Sequence, residues 1–225
     1  MAALAPDHAE ASVTASYQVT GQDELLDASG RLKSYWHPVI DGLDALTHEQ
    51  RLDRINRINV RVRETGIAHV LFADPSRTSQ PWNLDLMPLV FTSTMWREIE
   101  AAVIQRGRLM EALLADIYGP QRLMAKGLVP PELVFADTNY LRACHGIEPA
   151  GGRIQFFAVD LARDPEGAWR VVDTHTETPA GIGYALANRT VLTHVSGEIF
   201  TASKAMRLAP YFQQLQDALA RRINR

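Results

Sequence analysis

The strongest constraint on the fold is a pair of short β-rich runs joined by a turn. The runs are RIQFFAVD (153–160) and AWRVVD (168–173), and the intervening RDPEG (163–167) has the composition of a tight turn. The sequence therefore predicts an antiparallel hairpin. A bulge at Gly167 would place Asp160 nearly opposite Asp173, so that two carboxylates would lie side by side on neighbouring strands.

Polar side chains alternate along the chain after this point. Because the side chains of a strand point to opposite faces with period two, Asp173, His175 and Glu177 share one face. Like charges on neighbouring strands repel, so Asp160 beside Asp173 favours a bound cation. Oxygen ligands suit Mg²⁺ or Mn²⁺, and the imidazole leaves Zn²⁺ or Fe²⁺ open. The alternative is that this face is simply the solvent-exposed side of a strand.

Three further features are candidates for function. The segment TPAGIGY contains Gly181 and Gly183, which permit close approach of the backbone to a bound phosphate. Arg142, in NYLRACHG, is a candidate contact for a substrate anion, with a surface ion pair as the alternative. Cys144 is the only cysteine, so an intramolecular disulfide is excluded and packing is the simplest interpretation of its role.

The coarse pattern indicates an α+β fold. We expect helices packed on a mostly antiparallel sheet that includes 154–160 and 169–178. The first helix covers 47–65, with Thr47 and Gln50 as a capping box. The other predicted elements are a helix over 94–118 capped by Thr94, a final helix within 203–225, and strands at IAHVLFAD (67–74) and ELVFAD (132–137).

Composition excludes several classes of protein. The formal net charge of −3 provides no field that would attract nucleic acid or an anionic membrane. The sequence contains no basic leader with an apolar block and no run of about 18 apolar residues, so we expect no membrane span and a cytoplasmic location. Residues 1–22 are predicted to be a poorly ordered tail, and 23–225 the folded part.

Several segments together resemble the circularly permuted ATP-grasp family. They are RETGIAHVLFAD, QPWNLDLMPLV, LLADIYGPQRLM, LRACHGI and DTHTETPAGIGYALANR. Within that family the chain is similar to a branch of bacterial proteins that resemble glutathionylspermidine synthetase. The resemblance runs from about residue 23 to the C-terminus, so it implies that the chain has the N-terminal part of a circularly permuted ATP-grasp fold.

The resemblance implies an activity as well as a fold. It implies an ATP-dependent ligase that activates a small-molecule or peptide carboxylate as an acyl phosphate and joins it to an amine. The implied cofactor is Mg²⁺ (or Mn²⁺), with ATP as cosubstrate. Asp160, Asp173 and His175 stand where glutathionylspermidine synthetase has an aspartate, a glutamate and an asparagine that hold magnesium. Thr178 and Pro179 match the Thr-Pro that follows them.

The chain also departs from the family pattern. Ala158 stands where the synthetase has an arginine, and Lys33, Lys126 and Lys204 do not lie in the context of lysines that clamp ATP. We therefore expect the N-terminal part of a longer protein, with apolar surface exposed near the final helix. Its partner would be the missing C-terminal half or a second copy of the chain.

Two alternatives to the ligase remain open. The chain could be a non-catalytic binding or scaffold subunit that keeps the fold without the activity. It could instead be a metal-dependent hydrolase or oxygenase. That third function would be built on the same polar side chains: Asp160, Asp173, His175 and Glu177.

Overall fold

A computed structural model describes residues 11–19, 21, 23–66, 68–69, 80–177, 179 and 181–223. Its α-helices are α1 (His37–Asp44), α2 (His48–Glu64), α3 (Ser93–Ile117), α4 (Arg122–Ala125), α5 (Pro131–Phe135), α6 (Ile182–Ala202) and α7 (Ala209–Ile223). Its strands are β1 (Ala68–His69), β2 (Gln80–Pro81), β3 (Ala158–Arg163) and β4 (Trp169–His175). Short 3₁₀ helices cover Ser34–Trp36 and Arg142–Cys144.

The chain forms two compact units. The first consists of Met1–Phe91 and Ala180–Leu208, and the second consists of Thr92–Pro179 and Ala209–Arg225. The first unit therefore contains α1, α2 and α6, and the second contains α3 and the β3–β4 hairpin. The sequence analysis treated residues 23–225 as one folded part and did not predict this division.

The first unit is built around one apolar core, in which α6 packs against α1 and α2. Trp36 is 4% exposed, and its indole N–H donates to the backbone carbonyl of Glu24 at 2.7 Å. That bond satisfies the polar atom of an otherwise apolar side chain. The remaining buried members of the core are Leu25, Val39, Ile40, Leu43, Ile58, Val62, Leu86, Val191, Leu192, Val195 and Ile199.

The first predicted helix is confirmed together with its cap. The Thr47 side chain accepts a hydrogen bond from the Gln50 amide, and the Gln50 side chain accepts one from the Thr47 amide. Helix α6, in contrast, was not predicted. Gly183 lies inside the helix, and Gly181 lies just outside it as its N-cap, with φ of 115°. The signal for α6 was the helical spacing of its buried residues, Val191, Val195 and Ile199.

The second predicted helix is also present, but its cap differs from the prediction. Helix α3 begins after Thr92, whose hydroxyl accepts a hydrogen bond from the Met95 amide at 3.1 Å. Thr94 lies inside the first turn, where its hydroxyl accepts from the guanidinium of Arg97. The prediction of Thr94 was wrong because both threonines precede the same apolar pattern, and only the backbone conformation decides which one caps the helix.

The predicted sheet is smaller than expected. The described residues contain two antiparallel ladders, β1 with β2 and β3 with β4, rather than one larger sheet. The antiparallel pairing is correct, but residues 154–157 precede β3 rather than belonging to it. The ELVFAD prediction is wrong, because Pro131 starts the short helix α5, where its missing amide hydrogen costs nothing.

The final predicted helix is present but shorter than expected. It begins only at Ala209, with Pro210 in its first turn. Residues 67 and 70–74 of the predicted strand, Thr178 and most of the predicted tail lie outside the described residues. Where helices are described, none combines the length and the apolar character needed to cross a bilayer.

The cap of α3 makes a testable prediction. Replacing Thr92 by Ala should lower the free energy of unfolding by about 1 kcal/mol, because the Met95 amide loses its side-chain acceptor. Replacing Thr94 by Ala serves as the matched control and should cost clearly less. Urea unfolding followed by circular dichroism measures both. Equal losses in the two variants would contradict the assignment of the cap.

Candidate metal centre

The β3–β4 ladder contains a bulge that brings two carboxylates together. Leu161 pairs with Val171, but the next pair along β3 is Asp160 with Asp173, so that Val172 is the extra residue. Residues directly opposite each other in a ladder share a face. Asp160 and Asp173 therefore project from the same face of the hairpin, as the sequence predicted. Bulges re-aim the side chains beside them and are often found next to functional sites.

The turn of the hairpin sets this register. The Asp164 carboxylate accepts a hydrogen bond from the Ala168 amide at 2.7 Å and one from the Arg170 guanidinium at 2.6 Å. The Arg170 guanidinium holds the pKa of Asp164 below its usual range. Gly167 adopts φ of 84°, which favours glycine. The predicted bulge at Gly167 is therefore wrong in position, because Gly167 closes the turn and the bulge lies at Val172.

Three side chains converge on the bulged face. One potential ligand atom from each of Asp160, Asp173 and His175 lies within 4.8 Å of the other two. The His175 Nε2 and the Asp160 Oδ2 are 3.1 Å apart, within hydrogen-bonding distance. Both carboxylates are exposed, and the imidazole is half-buried. The hydrogen bond to Asp160 raises the pKa of His175, and the nearby charges of Asp160 and Asp173 act in the same direction.

The donor set fits a divalent cation. Two carboxylates and one imidazole supply hard oxygen ligands together with one nitrogen, which Mg²⁺, Mn²⁺, Zn²⁺ and Fe²⁺ can all accept. Adjacent ligands of an octahedral Mg²⁺ lie about 3 Å apart. The 3.1 Å between His175 and Asp160 is close to that spacing. The exposure of the carboxylates leaves the remaining coordination positions open to solvent or to a ligand.

The other predicted site residues lie outside this cluster. Glu177 follows the end of β4 at His175, is exposed, and does not belong to the group of three. Gly181 and Gly183 begin α6 in the other compact unit. Arg142 is exposed in a 3₁₀ turn. Their roles in binding metal, phosphate and a substrate anion stay predictions.

Helix α3 supports the hairpin through residues that the sequence did not single out. The Arg106 Nε donates to the Thr174 hydroxyl at 2.9 Å. The Glu111 carboxylate accepts from the backbone amides of Arg153 and Ile154, both at distances as short as 2.8 Å. Thr174 lies between two cluster residues, and that position was the only signal in the sequence. Its partner on α3 is 68 residues away and could not be inferred.

Comparison with known proteins identifies the family. The family model described as circularly permuted ATP-grasp type 2 matches residues 88–225, which include the whole cluster. The chain belongs to this family. The resemblance carried by segments such as LLADIYGPQRLM is therefore confirmed at the level of the circularly permuted ATP-grasp family. The mixture of helices with a small antiparallel hairpin is consistent with the α+β fold that was expected.

Individual relatives match most of this chain but only part of their own length. An uncharacterized protein from Mycobacterium tuberculosis is 35% identical over 210 residues, which is 88% of this chain and 24% of the relative. One from Synechocystis is 29% identical over 88% of this chain and 41% of its own length. A protein from Frankia casuarinae named "Putative glutamate--cysteine ligase 2-2" is 29% identical over 90% of this chain and 23% of its own. The chain thus spans about a quarter to two fifths of these relatives.

The hydrogen bond between His175 and Asp160 predicts the pH behaviour of the site. Since the folded-state pKa of His175 is raised above about 6.5, the interaction stabilises the fold fully below about pH 6.5. The stabilisation is lost as the pH rises through the raised pKa. Replacing Asp160 by Asn should lower the pKa of His175, because the main cause of the shift is removed. Titration of the imidazole resonances by NMR measures the change.

The matched control for this prediction is Glu166→Gln. Glu166 is an exposed carboxylate in the turn of the same hairpin, and it does not belong to the cluster. Its replacement should leave the titration of His175 almost unchanged. A titration curve of His175 that is the same in the parent chain and in Asp160→Asn would contradict the geometry described above.

Proposed function

We propose that this chain contributes the metal-binding hairpin of an ATP-dependent ligase that joins a carboxylate to an amine. Membership of the ATP-grasp family and the relative named as a ligase support this class of reaction. The observation that carries the proposal is the bulge that sets Asp160 opposite Asp173, with His175 alongside. Two exposed carboxylates in that position repel each other unless a cation lies between them.

Asp160, Asp173 and His175 would hold the ion, which we propose to be Mg²⁺ or Mn²⁺. When bound, such an ion supplies positive charge that offsets the phosphate charges of ATP during phosphoryl transfer. The carboxylates supply the negative charge that retains the cation, and the neutral imidazole supplies a nitrogen donor. The exposed face of the cluster leaves room for phosphate oxygens.

The proposed reaction proceeds through an acyl phosphate. An oxygen of the substrate carboxylate attacks the γ-phosphorus of ATP, and ADP leaves. The amine then attacks the acyl carbon, phosphate departs, and the amine gives up a proton. The substrates would be a small-molecule or peptide carboxylate and an amine. A further part of the protein or a second copy of the chain would act as a partner in completing the ATP site.

The protonation of His175 should oppose metal binding. A protonated imidazole has no lone pair to donate, so a metal ion must displace the proton that Asp160 helps to hold. We therefore expect metal affinity to increase as the pH rises from 6 to 8, because binding of each ion releases at most about one proton. This direction is opposite to the stabilising effect of the His175–Asp160 pair, which is strongest at low pH.

The test is calorimetric titration of Mg²⁺, Mn²⁺ and Zn²⁺, each with and without ATP. Binding of Mg²⁺ or Mn²⁺ that is strengthened by ATP is expected for the parent chain. Asp173→Asn should weaken it by at least about tenfold, because loss of a group that merely orients a ligand already has an effect of that size. Glu166→Gln keeps the cluster intact and should bind as the parent does.

The same titrations separate the alternatives. Tight binding of Zn²⁺ without ATP would favour the hydrolase or oxygenase, for which the imidazole is the specific supporting observation. Absence of metal and nucleotide binding, also after the rest of the protein is supplied, would favour a scaffold subunit. Either result would contradict the ligase.

A further inference from the structure

The bulge separates the cluster-bearing end of the β3–β4 ladder from the rest of the hairpin. Val172, the bulge residue, opposes no partner, and β4 ends at His175. Only a short stretch between the bulge and the strand end therefore carries both Asp173 and His175. Bulges disrupt the ladder locally and increase its twist. Three consecutive pairs, Asp160 with Asp173, Val159 with Thr174 and Ala158 with His175, are what the ladder contributes beyond the bulge.

A side-chain hydrogen bond reinforces this stretch from the opposite face. Thr174 lies between Asp173 and His175, so its side chain points away from the cluster. Its hydroxyl is half-buried and accepts a hydrogen bond from the Arg106 Nε at 2.9 Å. Arg106 lies in the middle of α3, the longest helix of the second unit, where its backbone is fixed by the helix on both sides.

The neighbouring contacts of α3 hold a different part of the hairpin. A methyl group added at Gly107 would make an ordinary van der Waals contact with the Phe157 ring at 3.4 Å, so α3 packs closely on the residue that precedes β3. Glu111 binds the amides of Arg153 and Ile154, earlier in the same segment. These contacts fix the approach to β3. The Arg106 hydrogen bond, in contrast, joins α3 to the part of β4 that carries Asp173 and His175.

We propose that Arg106 is a positioning residue for the metal cluster and acts through Thr174. The guanidinium anchors Thr174 to α3 and thereby sets the positions from which Asp173 and His175 reach a common cation. This inference rests on the proposed function, because it assumes that the cluster binds a divalent ion. Arginine suits the role, since its planar group donates in a fixed direction.

The test compares Mn²⁺ binding, in the presence of ATP, among variants of the full chain. Thr174→Val removes the hydroxyl with little change of shape and should weaken Mn²⁺ binding by about tenfold, as does loss of other groups that orient metal ligands. Arg106→Gln should have a similar effect. Thr174→Ser keeps the hydroxyl and should restore the parent affinity. The double variant should be no weaker than either single one, because both remove the same hydrogen bond.

Glu111→Gln separates positioning from a general loosening of the unit. This substitution weakens the hydrogen bonds from the Arg153 and Ile154 amides but leaves the Arg106–Thr174 hydrogen bond in place. Mn²⁺ affinity should therefore stay within about twofold of the parent. Thermal unfolding, recorded for every variant, shows that each one is folded at the temperature of the titration. Equal weakening of binding in Glu111→Gln and Thr174→Val would overturn the proposal.

Crystal structures of the parent and of Thr174→Val keep the two proposals distinguishable. If the parent binds Mn²⁺ and Thr174→Val binds it equally well, the positioning role is overturned and the metal site stands. If the parent binds no ion, the proposed function fails, and the positioning role, which assumes a bound ion, fails with it. If the parent binds Mn²⁺ and Thr174→Val binds it more weakly, the structures show the cause. Ligand atoms of Asp160, Asp173 and His175 that separate beyond 4.8 Å in the variant support the positioning role, and an unchanged arrangement overturns it.

Discussion

Repulsion between two carboxylates is the constraint that the β3–β4 hairpin must accommodate. Asp160 and Asp173 face each other across a bulge, and like charges in directly opposed positions destabilise a sheet. The protonated form of His175 partly offsets this repulsion through its hydrogen bond to Asp160. A bound divalent cation would offset it more completely. The pair is thus the feature on which the proposed ion-binding role depends.

The support for this pair comes from a helix rather than from a larger sheet. Among the described residues the hairpin has no third strand, and its bulged part is held by the bond from Arg106 to Thr174. The hydrogen bonds that Glu111 accepts from the chain before β3 support a different part of this segment. A two-stranded ladder is marginally stable by itself. Helix α3 thus provides the rigidity that a wider sheet would otherwise supply.

Local patterns were informative where a local interaction decides the structure. The capping box of Thr47 and Gln50 and the RDPEG turn involve neighbours in the chain, and both were predicted correctly. The same kind of reasoning failed where backbone conformation or packing decides. Thr92 was passed over in favour of Thr94, and the glycines at the start of α6 obscured a helix that forms because its apolar face packs on α1 and α2.

By itself the sequence determined the family, the hairpin, and the common face of Asp173 and His175, because alternation along a strand is a property of the chain. Only the tertiary structure decided that the bulge lies at Val172, that Glu177 falls beyond the strand, and that Arg106 reaches Thr174. The first two depend on the register between strands. The third depends on packing between residues far apart in the chain, and no local pattern encodes such a contact.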